Sequence, residues 1–186
     1  MTTPIGHSLF AVSLYWLARL RQHGGVILLL VLVFAAMVPD IDYYPLLWGD
    51  LQLANYNHQG FTHSLVFVLL VSVGIALIGQ WLGAGKATRL YPFVVLAAAS
   101  HLMLDFLTFD GREPVGIPLL WPFSDARFNA PMSIFGGFAK SSFGAMLSAH
   151  NLGVIGREIL ILGIPTLVIW LVARRLLNRR SEALPR

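Results

Sequence analysis

The chain has 186 residues, 56% of them hydrophobic and only 12% charged, with a mean hydropathy of +0.71; soluble domains carry about 25% charged residues, so a soluble globular protein is excluded and an integral membrane protein is expected. The net charge of +4 comes from Lys and Arg residues at the ends of apolar runs, not from a basic stripe interleaved with aromatics, so no nucleic acid partner is expected. Without cysteine, disulfides and thiolate sites are excluded, and any metal must be held by nitrogen and oxygen.

Five apolar segments follow in chain order. They predict an all-α fold: an integral membrane bundle of about five apolar helices with a long outer loop, forming one domain over residues 1–186. The first, Thr3 to Leu20, opens in MTTPIGHSLF, which lacks the basic start and small-residue cleavage site of a secretory signal and is expected to be retained. The second, Val26 to Val38, has thirteen residues. At about 1.5 Å rise each they do not cross a core of about 30 Å, so it must be tilted, partly embedded or extended at its ends. Phe61 to Leu82, Leu90 to Leu107 and Ile155 to Leu177 complete the set. The intervening loops are RQHGG (Arg21 to Gly25), Pro39 to Gly60, GAGKATR (Gly83 to Arg89) and the long Gly- and Pro-containing stretch Phe109 to Gly153.

In an alternating five-helix arrangement, Arg19, Arg21, Lys86, Arg89, Arg174, Arg175, Arg179, Arg180 and Arg186 share one face. Arg112, Arg127, Lys140 and Arg157 take the other. The positive-inside rule places the nine in the cytoplasm and the N-terminus outside.

The other ionisable residues separate just as sharply. His7 opens segment one, Asp40 and Asp42 close segment two in PDID, and His58 and His63 in HQGFTHS lead into segment three. His101 and Asp105 close segment four in SHLMLDFLT. All seven fall on the non-cytoplasmic face, which predicts one shared site. His101 and Asp105 are i and i+4 on a helix, hence stacked on one side. Asp40 and Asp42, one residue apart beyond Pro39, can serve as two ligands or as a ligand and its support. Imidazole and carboxylate without sulfur suits zinc, manganese or iron. Seven candidates exceed the needs of one ion, so a centre of two or three divalent ions is expected, zinc favoured, of the kind that hydrolyses phosphoesters. Ionisable groups inside apolar helices, as at His63, His101 and Asp105, usually mark function. Thr62 and Ser64 suit either helix capping or support of the ligands, and His23, in a cytoplasmic loop, is left as a solvated residue.

At these residues the chain resembles the YdjM-like family of membrane-bound, predicted metal-dependent hydrolases. The resemblance rests on GHSLF (Gly6 to Phe10), VPDID (Val38 to Asp42), HQGFTHS, SHLMLDFLT (Ser100 to Thr108) and GIPLLWPFS (Gly116 to Ser124), in the family's order. Together they run from Gly6 to Ser124, nearly two thirds of the chain. The family pattern usually carries arginine where this chain has Gln59, which removes a cation that could have touched an anionic substrate. The resemblance implies a bacterial or archaeal inner-membrane protein. The order of an early His, an Asp, a THS step and an HxxxD helix is also similar to the ligand order of zinc-dependent phospholipase C. That likeness implies His7, Asp40, His63, His101 and Asp105 as ligands with His58 and Asp42 beside them, matches Glu158 and the weaker His150 to later ligands, and implies a lipid phosphoester substrate.

Asp42 or Glu158 is expected to act as general base or to orient a liganding histidine. Gln59, Trp121 and Arg127 are candidate substrate contacts; Trp121 with Phe123 equally suits seating the loop at the headgroups, while Arg127 suits bidentate contact with phosphate. The competing function is a metal-binding transporter or sensor. Transport sites tend to lie near the midplane with polar groups on both sides, and here the opposite half carries no acid or histidine that marks a path. No HExxH motif supports a peptidase.

Overall fold

The computed structural model describes residues 2–20, 25–50, 53, 58–109, 111 and 114–182; Arg21, His23, Arg112 and Arg186 lie outside them. Helix α1, Pro4–Arg19, starts with proline at its first turn after the extended Thr3, where the fixed φ and missing N–H of proline suit a helix start. Helix α2, Val26–Met37, passes directly into a 3-10 segment, Val38–Trp48. The apolar stretch Val26–Tyr43 thereby reaches 18 residues, the extension that so short an apolar run requires.

Helix α3, Leu65–Trp81, begins four residues later than the apolar run suggests. Ser64 is extended, with φ −110° and ψ 154°, and its Oγ accepts the Phe67 N–H at 3.2 Å. The capping hydroxyl separates α3 from a 3-10 turn, Phe61–His63, and so frees His63 from the helix. Helix α4, Ala87–Phe106, ends at the HLMLD sequence. Short α5, Phe143–Met146, precedes α6, Ala149–Glu158, and α7, Ile164–Glu182. A π turn, Ile159–Gly163, joins the last two; it ends just ahead of Pro165, whose missing N–H interrupts the regular ladder. The described residues form no β-sheet, only the isolated bridges Thr108–Phe135 and Ile117–Phe128.

The fold is all-α. Val26–Tyr43, Ala87–Phe106 and Ala149–Arg179 are long and apolar enough to cross a membrane, and α3 is a shorter apolar helix. Helix α4 packs on α3 and α2, α1 packs on α2, and α7 lies along α1. Their shared core alternates small and large side chains: Ala11, Leu14 and Ala18 of α1, Leu28, Leu32 and Ala35 of α2, Ile75 and Ala76 of α3, and Leu90, Val94 and Ala97 of α4. Small residues at helix contacts are how membrane helices approach closely, because lipid offers no hydrophobic drive between them. Leu30, Phe34, Leu70, Leu77, Ile78 and Leu96 instead point outward, as a lipid-facing surface requires.

Replacing Ala97, fully buried at the centre of this core, with leucine is expected to destabilise the bundle by about 1–3 kcal/mol through overpacking. Thermal unfolding in detergent should show a lower midpoint for Ala97→Leu, whereas Leu96→Ala, on the outward face, should unfold near the wild-type temperature.

Candidate metal centre

The up-and-down course of α1 to α4 brings the start of α1, the exit of α2, the approach to α3 and the end of α4 to one end of the bundle. There the six side chains His7, Asp40, His58, His63, His101 and Asp105 form two groups that could each hold a metal ion: His7, His101 and Asp105 in one, Asp40, His58 and His63 in the other. Within each group the ligand atoms lie within 4.8 Å of one another. The groups adjoin. His101 Nε2 is 3.3 Å from Asp40 Oδ1, and His63 Nε2 is 3.5 Å from Asp105 Oδ2 and 3.8 Å from Asp40 Oδ1.

Each imidazole is oriented by its neighbours. His58 Nδ1 is 3.0 Å from Asp42 Oδ1, and His63 Nδ1 is 3.2 Å from Asp42 Oδ2. That second oxygen also accepts the Thr62 hydroxyl at 2.9 Å and the Gly60 N–H at 3.3 Å. His101 Nδ1 is 2.7 Å from the Ala36 carbonyl oxygen, to which it donates. Nδ1 is thus engaged in all three rings, that of His63 also lying 3.1 Å from the Thr62 hydroxyl, which fixes ring orientation and turns Nε2 into the cluster. His7 is held by stacking, its ring centroid 3.8 Å from that of His101 with the planes 6° apart.

A metal fits these residues on the evidence of their unsatisfied atoms. Buried side-chain polar atoms nearly always find a hydrogen-bond partner. Those that lack one among the described residues are both ring nitrogens of His7, Nε2 of His58, His63 and His101, Asp40 Oδ1, Asp105 Oδ2 and, outside the cluster, Ser72 Oγ. Separations of 3.3–3.8 Å between them are long for charge-assisted hydrogen bonds. They are close to the ~3.3 Å between ligand atoms that share a tetrahedral ion with bonds of about 2.0–2.1 Å. The electrostatics agree: three carboxylates, Asp40, Asp42 and Asp105, crowd into a buried volume. Burial works against a charge on His63, yet the facing carboxylates of Asp105 and Asp42 push the ring up to about 9. Burial takes His58 down to about 4 against the pull of Asp42.

The spacing of Asp40 and Asp42 resolves into different placements. In a segment with about three residues per turn, positions i and i+2 point in different directions. Asp40 faces the Nε2 atoms, while Asp42 stands behind the histidines with both oxygens engaged. Thr62 and Ser64 divide their tasks likewise, the first donating to Asp42 and the second capping α3.

Glu158 falls outside both groups. Its Oε1 accepts the Thr3 N–H at 2.8 Å and its Oε2 accepts the Thr3 hydroxyl. The clamp fixes the segment just before α1, where the Thr2 N–H donates to Asp105 Oδ1 at 3.0 Å and so leaves Oδ2 turned to the histidines. Gly6 is required here, since a Cβ at that position would lie 2.9 Å from Glu158 Oε2 and 2.4 Å from the Thr2 methyl carbon. His150 is exposed, with Nε2 2.9 Å from the Gly137 carbonyl oxygen.

The remaining candidates belong to the long loop and its seat. Arg127 donates through Nε and Nη2 to the Gly116 carbonyl at 3.0 and 2.6 Å and through Nη2 to the Gln59 carbonyl at 3.0 Å. It ties the loop to the HQG segment. Gln59 is buried, with a φ of 62°. Trp121 sits over Phe61 with ring centroids 5.4 Å apart, and the Leu119 carbonyl accepts the Leu65 N–H at 3.0 Å, so GIPLLW rests on the first residue of α3. Lys140, unremarked by spacing or motif, is buried beside Tyr43.

Fold and cluster together define a helical membrane protein in which His7, His58, His63, His101, Asp40, Asp42 and Asp105 converge at one end of the bundle. The chain belongs to the YdjM inner membrane protein family, whose model matches residues 1–180. It is 38% identical over 103 residues to inner membrane protein YbcI of Escherichia coli K12, covering 55% of this chain and 57% of that protein. To inner membrane protein YdjM of Escherichia coli K12 it is 30% identical over 148 residues, 71% of each chain, and the same holds for YdjM of Shigella flexneri. No solved structure matches the chain.

Glu158→Ala leaves the buried Thr3 N–H and hydroxyl without acceptors, a loss of about 1–3 kcal/mol. Unfolding in detergent with chelator present should register it as a lower midpoint. A wild-type midpoint would mean that the clamp does not hold the N-terminal segment.

Proposed function

We propose that this protein is a multi-pass inner-membrane hydrolase that cleaves phosphoesters, lipid phosphoesters foremost, with a two-metal centre at the non-cytoplasmic face. The observation that carries the reading is the convergence of buried, unpartnered ligand atoms from four separate parts of the chain. Intramembrane ionisable groups are expensive and rare, and such a set has no structural use without cations.

His7, His101 and Asp105 would hold one ion and Asp40, His58 and His63 the other. Divalent ions there, zinc favoured on an all-nitrogen-and-oxygen donor set, would supply Lewis acidity toward a phosphoryl oxygen and lower the pKa of water. Asp42 positions His58 and His63 through Nδ1, the Ala36 carbonyl positions His101, and the Thr2 N–H positions Asp105. We assign Asp42 and Glu158 to positioning because their carboxylate oxygens are already engaged. Exposed Phe61, Phe109, Trp121 and Phe123 gather near the same end, as aromatic residues do at the headgroup layer, where lipid phosphoesters lie. Arg19, Lys86, Arg89, Arg174, Arg175 and Arg179 lie at the opposite helix ends, which under the positive-inside rule supports an outward-facing site.

Elemental mass spectrometry of detergent-purified protein should find about two equivalents of divalent metal, absent from a His63→Ala, Asp105→Ala double variant. Asp42→Asn should bind metal about 10–100-fold more weakly. Loaded protein should hydrolyse an aryl phosphodiester and the double variant should not; metal uptake without turnover would leave a metal carrier in place of an enzyme.

Orientation is tested separately. Of single cysteines introduced as Ser124→Cys and Ser181→Cys, only the first should react with an impermeant maleimide applied to intact cells; the reverse would put the site in the cytoplasm.

A further inference from the structure

The side chains of His7, His58, His63, His101 and Asp105 have no exposed surface, whereas that of Asp40 is 12% exposed. Asp40 Oδ1 is buried among the Nε2 atoms, so Asp40 reaches the exterior through the rest of its side chain. The helix ends above the cluster are shut. The Thr2 N–H donates to Asp105, the Thr3 carbonyl accepts the His7 N–H, and the Thr108 N–H donates to the Asp105 carbonyl. All three threonines are buried, as is Gln59 beside His58. Among the described residues, the candidate ligands therefore meet the exterior on the side of Asp40.

That side faces lipid. Ile27, Leu30 and Phe34 of α2 are exposed at spacings of three and four residues, which is the outward stripe of a helix. Ile41, between Asp40 and Asp42, is 57% exposed. A rotation of about 100° per residue in α2 and about 120° in the 3-10 segment brings it about 60° from Phe34, so it prolongs that stripe. Gly60 and Thr62 both donate to Asp42, and Phe61 between them is 53% exposed. Asp40 and Ile41 fall within Val26–Tyr43, and His101 and Asp105 within Ala87–Phe106, two of the stretches long and apolar enough to cross a membrane. They stand near the ends of those stretches, where hydrocarbon gives way to headgroups. Large apolar side chains exposed beside a polar cluster mark contact with an apolar partner, and at this depth the partner is lipid.

We propose that the cluster opens sideways into the bilayer beside Asp40, past Ile41 and Phe61, and admits a membrane-dissolved amphiphile with an anionic phosphoryl head. The inference rests on the hydrolase reading and narrows its substrates to phosphates that carry a long apolar chain, as against water-soluble phosphoesters. The chain of such a molecule stays in hydrocarbon alongside Ile41 while its head moves to the Nε2 atoms. A water-soluble phosphoester would have to leave water and cross an apolar rim with nothing to offset its desolvation.

The test uses the full chain in lipid nanodiscs, where both faces of the bilayer are open to solutes. The chain has no cysteine, so a nitroxide can be attached at Ile41→Cys. Leu30→Cys serves as the lipid reference and Asp125→Cys, at an exposed acid of the long loop, as the water reference. Collisions are measured with oxygen, which concentrates in hydrocarbon, and with a polar nickel chelate, which stays in water. The oxygen-to-nickel ratio at position 41 should lie within about twofold of that at 30 and at least about fivefold above that at 125. With zinc loaded and counted by elemental mass spectrometry, hexadecylphosphonate should slow the nitroxide at position 41. Methylphosphonate at the same concentration should not, and zinc-free protein should respond to neither. A collision ratio at 41 nearer that at 125, no response to hexadecylphosphonate, an equal response to methylphosphonate, an equal response without zinc, or loss of zinc from labelled Ile41→Cys alone would each overturn the lateral opening and leave the metal reading standing. Zinc absent from unlabelled wild type would overturn the metal reading itself, and this inference with it.

Discussion

The carboxylate of Asp42 is the contact on which the order of the site depends. One oxygen meets Nδ1 of His58, and the other gathers Nδ1 of His63, the Thr62 hydroxyl and the Gly60 N–H. Two rings from a loop and a 3-10 turn are thus locked to the 3-10 segment that follows α2, with their Nε2 atoms facing the cluster. In a low-dielectric interior such hydrogen bonds are stronger than in water, and the penalty for leaving any member unpaired is correspondingly larger. Asp42 does for His58 and His63 what the Ala36 carbonyl does for His101 and the Thr2 N–H for Asp105.

Around this contact the bundle is built to keep the helix ends in register. Alanines at the contacts of α1, α2 and α4 let the backbones approach, and the candidate ligands stand at or just beyond the ends of those helices, with none at their midpoints. The arrangement suits a bilayer, because at a helix end irregular backbone can be satisfied by capping and by neighbouring loops, whereas facing lipid it cannot. The Ser64 cap belongs to the same logic: it starts α3 only at Leu65 and lets the His63 ring turn toward Asp105 instead of following the helix face.

The long stretch between α4 and α5 is a brace as much as a loop. Gly116 has a φ of 87° and would place a Cβ 2.7 Å from the Phe128 carbonyl oxygen, so only glycine permits the close pairing of Ile117 with Phe128. Arg127 fastens that pair to Gln59, and Asn151 fastens Ala139 to α6. Through these ties the surface covering the cluster end is joined to HQGFTHS at one point and to α6 at another. Glu158, at the far end of α6, closes the circuit by holding Thr3 ahead of α1.

The sequence by itself determined the class of fold and the meeting of the candidate ligands. Five apolar runs, each reappearing as one helix or as successive helical elements, and seven ionisable residues confined to one set of helix ends are one-dimensional patterns, and the alternating direction of the helices in the bundle converts them into a shared location. The i, i+4 spacing of His101 and Asp105 is likewise local, and it reappears as a 3.6 Å approach. Only the tertiary structure decided which residues face the cluster and which stand behind it. Asp40 and Asp42 are indistinguishable by spacing until His58 and His63 arrive from elsewhere in the chain. The partner of Glu158 lies 155 residues away, and Lys140 meets Tyr43 through no motif. Such contacts depend on the exit of the 3-10 segment, the Ser64 cap and the anchoring by Asn151, each a matter of direction in space that periodicity along the chain does not encode.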